Sequence, residues 1–295
     1  MQDNNDILAL RNNKMPELSK GQKRIANFLK DNYGEAVYLT ASKLGAIAGV
    51  SESTVVRFAI ELGYDGYPKL QKALEELVKT KLTAAERMRE SYQRMINNDK
   101  HILKSVLNGD ADRINATLND IDTEDFDTAV NYILNARNVY IIGGRSSGAL
   151  SYFLSFYLNL MRANVKDVSR GSVAETFEEI FRIDENDLVI GLSFPRYSTR
   201  TVKSMEYAHQ KGAKTIAITD SKKSPLIANA DVSLIARSDM ISFIDSLVAP
   251  LSLIDAILVA VSLNRKDHIV ENLNVLENLW GEYQVYSSAI PKKYK

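Results

Sequence analysis

Apolar and polar positions divide the chain into two regions with different periodicities. Up to about residue 82, apolar residues recur at helical spacing and no convincing strand pattern occurs. From about residue 137 to 265, short apolar runs alternate with amphipathic helical stretches. We predict strands over 139–142, 165–168, 188–192, 215–219 and 232–235, and helices over 147–161, 172–181, 199–211 and 225–230. Nearly uninterrupted apolar strands are typical of a parallel sheet that is buried on both faces.

This alternation predicts an α/β domain with a doubly wound, five-stranded parallel sheet and right-handed crossovers. A long apolar helix over 247–263 would close one face of the sheet; a role as dimer surface stays open, and we favour the core. Between the two regions lies a polar, helix-prone stretch without proline. The predicted organisation is an all-α domain at 1–82, a helical connector at 83–120 and the α/β domain at 121–295.

The all-α region contains two short helices joined by a tight turn. The first is predicted to begin at Thr40 and to end at Gly49, where a left-handed residue is least costly as glycine. Ser51 is a good N-cap for the second helix, which continues to Leu62. Such a pair is the helix-turn-helix arrangement, in which the start of the second helix enters the major groove of DNA.

The candidate DNA contacts are small, hydrogen-bonding or charged residues on this pair of helices. They are Ser51, Glu52, Ser53, Thr54, Arg57 and Lys43. The charge gives weak support, because residues 1–82 contain 12 Lys plus Arg against 10 Asp plus Glu, a net charge of +2. The alternative is a helical bundle without a role in DNA binding, since similar helix pairs occur in other folds.

Two polar loops follow the first and third predicted strands, and each leads into a helix. Ligands of open parallel sheets bind beyond the carboxyl ends of the strands, where helix N-termini favour anions. Small and hydroxyl residues let backbone amides approach a phosphate, and arginine adds a forked cationic donor. The candidate anion site comprises Gly143, Arg145, Ser146 and Ser147 from the first loop, and Ser193, Arg196, Ser198 and Thr199 from the second. For either loop alone, ordinary turn chemistry is the alternative.

The composition removes several classes of site. The chain has no cysteine, and its three histidines are far apart, so we expect no metal and no cofactor. Lys plus Arg and Asp plus Glu both number 37, which argues against coating nucleic acid by bulk charge. The polar N-terminus is unlike a signal peptide and no apolar run approaches the ~18 residues of a membrane span. We therefore expect a cytoplasmic protein with no membrane partner.

Residues 44–70 read LGAIAGVSESTVVRFAIELGYDGYPKL, which closely resembles the helix-turn-helix domain of RpiR-type bacterial regulators. The resemblance implies a DNA-binding domain coupled to a sugar isomerase (SIS) domain, and residues 137–263 resemble that second domain. By this resemblance, Ser147, Ser193 and Ser198 match the hydroxyl residues that hold the phosphate of a phosphosugar. The chain departs from the family at Arg145, where many members have Gly, and at residues 195–196, where Pro-Arg replaces Ser-Gly.

The two halves together predict a transcriptional regulator of carbohydrate genes, controlled by a phosphorylated sugar or amino sugar. We expect it to bind operator DNA as a homodimer or higher homo-oligomer, because two recognition helices bind two half-sites. The alternative is a sugar-phosphate isomerase or a non-catalytic sugar-phosphate-binding protein. Isomerisation needs a base, and the candidates Glu175, Glu178 and His209 form no visible acid–base pair. We therefore predict no catalytic residue and no enzymatic activity.

Overall fold

The computed structural model describes residues 18–37, 39–81, 83–86, 88, 101–239 and 244–286. The chain divides into two compact units, one extending to Ile102 and including 240–245, the other formed by Leu103–Asp239 and the residues from Ser246 onward. Each unit is described by itself. The predicted connector at 83–120 lies partly outside the described residues.

The N-terminal unit includes the helices α1 (Lys20–Ala36), α2 (Ala41–Ala48), α3 (Glu52–Glu61) and α4 (Tyr67–Lys81). A capping box begins α1, because the Gln22 side chain accepts from the Ser19 amide at 2.9 Å and the Ser19 hydroxyl accepts from the Gln22 amide at 3.3 Å. All four helices contribute to one apolar core, whose fully buried members include Ile25, Leu44, Phe58 and Leu70.

Two polar side chains of α4 fix the segment between α1 and α2. The Tyr67 hydroxyl donates to the Leu39 carbonyl at 2.8 Å and is also within 3.3 Å of the Ala36 carbonyl. The Gln71 amide donates to the Val37 carbonyl at 2.6 Å. Burial raises the pKa of Tyr67 to about 12, so the phenol keeps the proton that these bonds need.

The C-terminal unit is a five-stranded parallel sheet with the order β2-β1-β3-β4-β5. The strands are β1 (Val139–Gly143), β2 (Val165–Asp167), β3 (Leu188–Leu192), β4 (Lys214–Thr219) and β5 (Val232–Ile235). The helices are α5 (Ile102–Asp120), α6 (Thr123–Asn135), α7 (Ser147–Met161), α8 (Val173–Ile180), α9 (Thr199–Gln210), α10 (Val248–Asn264) and α11 (Lys266–Glu282). The predicted fold class is therefore confirmed.

The order of the strands reverses between β1 and β3, which lie side by side. Their register pairs Val139 with Leu188 and Gly143 with Leu192, so both strands end at the same level. The connections that follow the two strands at such a reversal go to opposite faces of the sheet, which opens a crevice at its carboxyl edge. The two loops singled out in the sequence begin at this crevice.

Both faces of the sheet are covered by helices. Residues from α6, α7 and α10 form a core with one face, and residues from α8 and α9 form a core with the other. Seven residues of α10 are buried, which agrees with a core role, although Val259 and Leu263 on the same helix are exposed. No single helix among the described residues is long and apolar enough to cross a membrane. Only α10 and α11 taken together reach that length and apolar character, and the chain bends by 100° between them.

One predicted helix is reduced to a single turn. Residues 225–230 contain only a 3-10 turn at Ile227–Asn229, closed by the Ala230 amide donating to the Ile227 carbonyl at 3.2 Å. The segment starts at Pro225 and must enter β5 at Val232, so it has no length for a full helix. The other predicted strands and helices of the sheet domain are present, with ends shifted by a residue or two.

The hydrogen bonds of Tyr67 generate a test of the N-terminal unit. Tyr67→Phe removes a buried donor to the carbonyls of Ala36 and Leu39, so we expect a loss of about 1–3 kcal/mol in the stability of that unit. Hydrogen–deuterium exchange of α1 to α4 at neutral pH measures it. Tyr207→Phe, which removes an exposed bond to the Phe181 carbonyl in the other unit, is the control and should leave exchange in these helices unchanged.

Candidate DNA-binding and anion-binding sites

The turn between α2 and α3 is as tight as the sequence predicts. Gly49 has a φ of 65°, a left-handed conformation that ends α2, and Ser51 begins α3 with its hydroxyl accepting from the Thr54 amide at 3.3 Å. A Cβ atom on Gly45 would lie 2.8 Å from the Val50 carbonyl oxygen. Only glycine therefore allows the turn to pack this closely on α2.

The predicted DNA contacts lie on the outer side of this helix pair. Ser51, Glu52, Ser53 and Arg57 are exposed on the first turns of α3, while the opposite side of that helix contributes Val55, Phe58 and Ala59 to the core. The Arg57 side chain donates to the Ser53 carbonyl at 3.3 Å. Thr54 is half-buried, and Lys43 is exposed in the first turn of α2.

A groove beside α3 brings a further cation to this surface. Its volume is about 510 Å³, and its wall contains Ser19, Gln22 and Arg24 from the start of α1 together with Ser51, Thr54 and Arg57. The contribution of Ser19 and Gln22, which form the capping box of α1, could not be predicted from the sequence. The mixture of hydroxyls and two arginines suits a phosphate of the DNA backbone.

The two loops at the carboxyl edge of the sheet are packed against each other. A Cβ atom on Gly144 would lie 2.6 Å from the Ser198 hydroxyl of the second loop, and a Cβ atom on Gly143 would lie 2.5 Å from the Ser147 carbonyl oxygen. These contacts leave no room for a side chain at either glycine. The loops after β1 and β3 are thus parts of one surface, as their place in the sheet predicts.

Both loops contain an arginine in the left-handed backbone conformation, with φ of 57° at Arg145 and 63° at Arg196. Within the described residues, the amides of Arg145, Ser146 and Arg196 donate no hydrogen bond. Backbone N–H groups around a left-handed residue form concavities that bind anions, and helix N-termini add to the effect. This backbone geometry supplies donors for a phosphate independently of the side chains.

Hydrogen bonds below the surface hold the second loop in shape. The Ser193 hydroxyl, which is almost fully buried, accepts from the Ser198 amide at 2.9 Å. The Thr219 hydroxyl donates to the Ser193 carbonyl at 2.7 Å, and the Tyr197 hydroxyl donates to the Asp220 carboxylate at 3.0 Å. The second loop is therefore held by the end of β4 as well as by its own strand.

The predicted anion-site residues separate into two groups by exposure. Gly143, Ser147 and Ser193 are buried, and Ser198 is half-buried with its hydroxyl accepting from the Thr201 amide. The exposed members are Arg145, Ser146, Arg196 and Thr199. The buried group shapes the loops, and the exposed group is free to touch a ligand.

Sequence reasoning missed the loop after β2, which joins the same edge of the sheet. The Ser169 hydroxyl accepts from the Gly143 amide at 2.8 Å and lies 2.7 Å from the Ser151 hydroxyl. Arg200, near the start of α9, donates to the carbonyls of Ser169 and Gly171, both at 2.6 Å. The sequence did contain a signal for this loop, because it follows a predicted strand of the same parallel sheet and must therefore lie at the same edge.

The candidate bases for isomerase chemistry belong to α8 and α9 and not to the two loops themselves. Glu175 closes a capping box with Ser172, and hydrogen bonds from Ser172 hold the pKa of its carboxyl below the usual range. His209 is exposed in the last turn of α9, whereas the second loop leads into the first turn of that helix. Glu178 is exposed on α8. No group of three or more His, Asp or Glu suited to a metal occurs among the described residues.

Comparison with known families identifies both units. A model described as the helix-turn-helix domain of the rpiR family matches residues 5–81, and a model of the SIS domain matches residues 132–260. Together the two models cover more than two thirds of the chain. The chain belongs to the rpiR family. It is a helix-turn-helix transcriptional regulator with a SIS domain, which confirms the resemblance found in the sequence.

Individual relatives extend over most of the regulator. An uncharacterized HTH-type transcriptional regulator of Caldanaerobacter subterraneus subsp. tengcongensis is 22% identical, covering 91% of this chain and 94% of the relative. The sugar isomerase domain of an RpiR transcription factor from Sphaerobacter thermophilus is 25% identical with a TM-score of 0.58, covering 61% of this chain and 99% of that one. The Vibrio vulnificus NanR protein complexed with ManNAc-6P is 19% identical with a TM-score of 0.58, covering 92% and 98%, and shares the fold.

The exposed recognition helix of the regulator generates a prediction about DNA. Arg57→Ala should weaken binding about tenfold across different duplex sequences and reduce the dependence of log K on log salt by about 1, because a phosphate contact is lost. Fluorescence anisotropy with duplexes enriched by binding to this protein, at several salt concentrations, measures both. Lys203→Ala, an exposed charge on α9, is the control. An unchanged salt slope would show that Arg57 does not contact a phosphate.

The packing of the first loop generates a second prediction. Gly143→Ala should destabilise the SIS domain by about 1–3 kcal/mol, because the new Cβ atom would overlap the Ser147 carbonyl. Gly148→Ala is the matched control: its Cβ atom would meet the Gly143 carbonyl oxygen at 3.5 Å, an ordinary contact, so stability should not fall. Chemical denaturation followed by circular dichroism compares the two variants, and equal losses would contradict the packing argument.

Proposed function

We propose that the regulator binds operator DNA through α2 and α3 and that a phosphorylated sugar or amino sugar, bound at the two sheet-edge loops, controls that binding. The observation that carries the proposal is the pair of packed loops at the β1/β3 reversal, each with amides that donate to no described residue. NanR from Vibrio vulnificus, which has the same fold, is complexed with ManNAc-6P and supports this ligand class. The regulated genes are then those of carbohydrate metabolism.

The chemistry of the loops fits a phosphate better than a neutral sugar. Helices α7 and α9 both start at this edge, and their N-termini favour negative charge. The exposed hydroxyls of Ser146 and Thr199 add donors on either side. Arg145 and Arg196 add positive charge to both loops, so the phosphate would meet amide, hydroxyl and guanidinium donors together.

The same site is proposed to bind without turning over its ligand. An aldose–ketose isomerase needs a base positioned near the sugar carbon. Glu175 is engaged in a helix cap with a lowered pKa, which makes its carboxylate a weaker base, and His209 belongs to the far end of α9. The regulatory role needs only that the ligand bind two arrangements of the protein with different affinity.

The size of the required coupling is modest. A difference of about 1–3 kcal/mol between the two arrangements changes operator affinity roughly 5- to 150-fold. We propose that the regulator acts in the cytoplasm, where its operator is, and that a homodimer places two recognition helices on two half-sites. The homodimer stays a prediction.

Ligand binding gives the direct test of this function. A thermal-shift screen of pentose, hexose and amino-sugar phosphates should find one that stabilises the SIS domain, by about 2.7 kcal/mol at a hundredfold excess over its Kd. Ser146→Ala should reduce its affinity about three- to tenfold without loss of fold, because the exposed Ser146 hydroxyl makes no cap bond. Ser105→Ala, exposed on α5, is the control.

The same ligand should change the affinity for the enriched duplex in anisotropy titrations. A ligand that binds without any effect on DNA affinity would remove the regulatory role and leave a sugar-phosphate-binding protein. Turnover near ~1 s⁻¹ with a sugar phosphate, the low end for enzymes, would replace it with the isomerase alternative.

A further inference from the structure

The arginines of the two loops occupy positions that would suit glycine better. Among the described residues, four that are not glycine have a positive φ: Arg145, Asn164, Arg196 and Gln284. Two of these four are the loop arginines. Side chains disfavour the left-handed conformation because the Cβ atom crowds the backbone, whereas glycine adopts it freely.

Glycine at these positions would supply the same backbone amides to a phosphate. What arginine adds is therefore only the side chain, at the cost of backbone strain. Strain of this kind is concentrated at functional sites, where the surrounding structure holds it in place. The two guanidinium groups thus have a role that the phosphate cradle alone does not explain.

Neither guanidinium is used by the protein itself. Within the described residues, Arg145 and Arg196 make no ion pair, side-chain hydrogen bond or aromatic contact, and both are exposed. Other arginines of the same unit are engaged: Arg137 pairs with Asp184 and Asp187, and Arg200 donates to two carbonyls. Two unused cations therefore flank a cradle that already has amide and hydroxyl donors for one phosphate.

Among the described residues, neither arginine forms an ion pair with Asp220, the carboxylate that is hydrogen-bonded to the second loop. Asp220 is buried and accepts from the Tyr197 hydroxyl at 3.0 Å. A single phosphate has a charge of about −1.5 to −2 near neutral pH. Two guanidinium groups added to two helix N-termini suit a ligand that has more negative charge than that.

We infer that the effector has a second acidic group besides its phosphate, as in a phosphorylated sugar acid or a sugar bisphosphate, and that Arg145 and Arg196 select for it. This inference rests on the proposed function, because it assigns the ligand class of the same site. A guanidinium fork binds a carboxylate or a phosphate in two-pronged geometry, so both versions of the second group fit the same side chains.

The experiment uses pairs of probes that differ only in the second acidic group. Isothermal titration of the full chain compares sorbitol 6-phosphate with 6-phosphogluconate, which are both open-chain, and fructose 6-phosphate with fructose 1,6-bisphosphate. We expect at least one doubly acidic member to bind about tenfold tighter than its partner. The pair that shows the preference identifies the second group as a carboxylate or as a phosphate.

The Arg145→Gly, Arg196→Gly double variant tests which residues cause the preference. We expect the affinity ratio within the pair to fall to about twofold or less, while the thermal midpoint stays equal or rises because glycine relieves the left-handed strain. The Arg145→Lys, Arg196→Lys variant keeps the charge and should retain part of the ratio. Lys203→Ala with Lys211→Ala removes two exposed charges elsewhere on this unit and should retain all of it.

Each negative result of these titrations has a different consequence for the inference and for the proposed function. Equal affinity for both members of each pair overturns the inference and leaves the proposed function standing. A preference that survives in the glycine variant also overturns it, because other residues must then select the second group. If no sugar phosphate in these pairs or in the thermal-shift screen binds, the proposed function fails and the inference fails with it.

Discussion

Close packing between the loops after β1 and β3 is the constraint on which the sensor site depends. At Gly143 and Gly144, the neighbouring loop and helix leave no space for even a Cβ atom. Because the parallel register ends β1 and β3 at the same level, the two loops start together, and they meet where Gly144 contacts Ser198. This contact places the amides, hydroxyls and arginines of the two loops, which form the proposed anion site, on one surface.

Below the contact, the loops are held by bonds from neighbouring parts of the sheet as well as by bonds within their own turns. The Thr219 hydroxyl at the end of β4 supports the second loop, and the Ser169 hydroxyl after β2 supports the first. These bonds explain how Arg145 and Arg196 are held in the left-handed backbone conformation, which is unfavourable for a residue with a side chain. The strained backbone at the two arginines and the hydrogen bonds that hold it are therefore parts of the same loop structure.

Much of this architecture could be predicted from the sequence, because it depends on local patterns. Apolar strand runs gave the parallel sheet, and Gly49 and Ser51 gave the turn between α2 and α3, since a left-handed cap and an N-cap have strong residue preferences. The single turn at Ile227–Asn229 was read as a longer helix, because the space available before β5 is a property of the folded sheet.

The site was predictable only in outline. Two glycine- and serine-rich loops after buried strands indicated where an anion would bind, yet nothing local indicated that Ser193 is buried and supports the loop from below. The role of Ser169 depends on a contact between residues 26 positions apart. The left-handed backbone of Arg145 and Arg196 was also hidden, because arginine is not a residue that signals that conformation.

The close approach of α1 to α3 has a consequence for how the regulator reads a duplex. A Cβ atom on Gly21 would be only 3.3 Å from the side chains of Val50 and Thr54, so the two helices are spaced by the absence of a side chain. Arg24 of α1 and Arg57 of α3 both line the groove beside these helices. The distance between these two cations therefore depends on a glycine, and a larger residue at position 21 would alter the spacing of two arginines on the proposed DNA-binding surface.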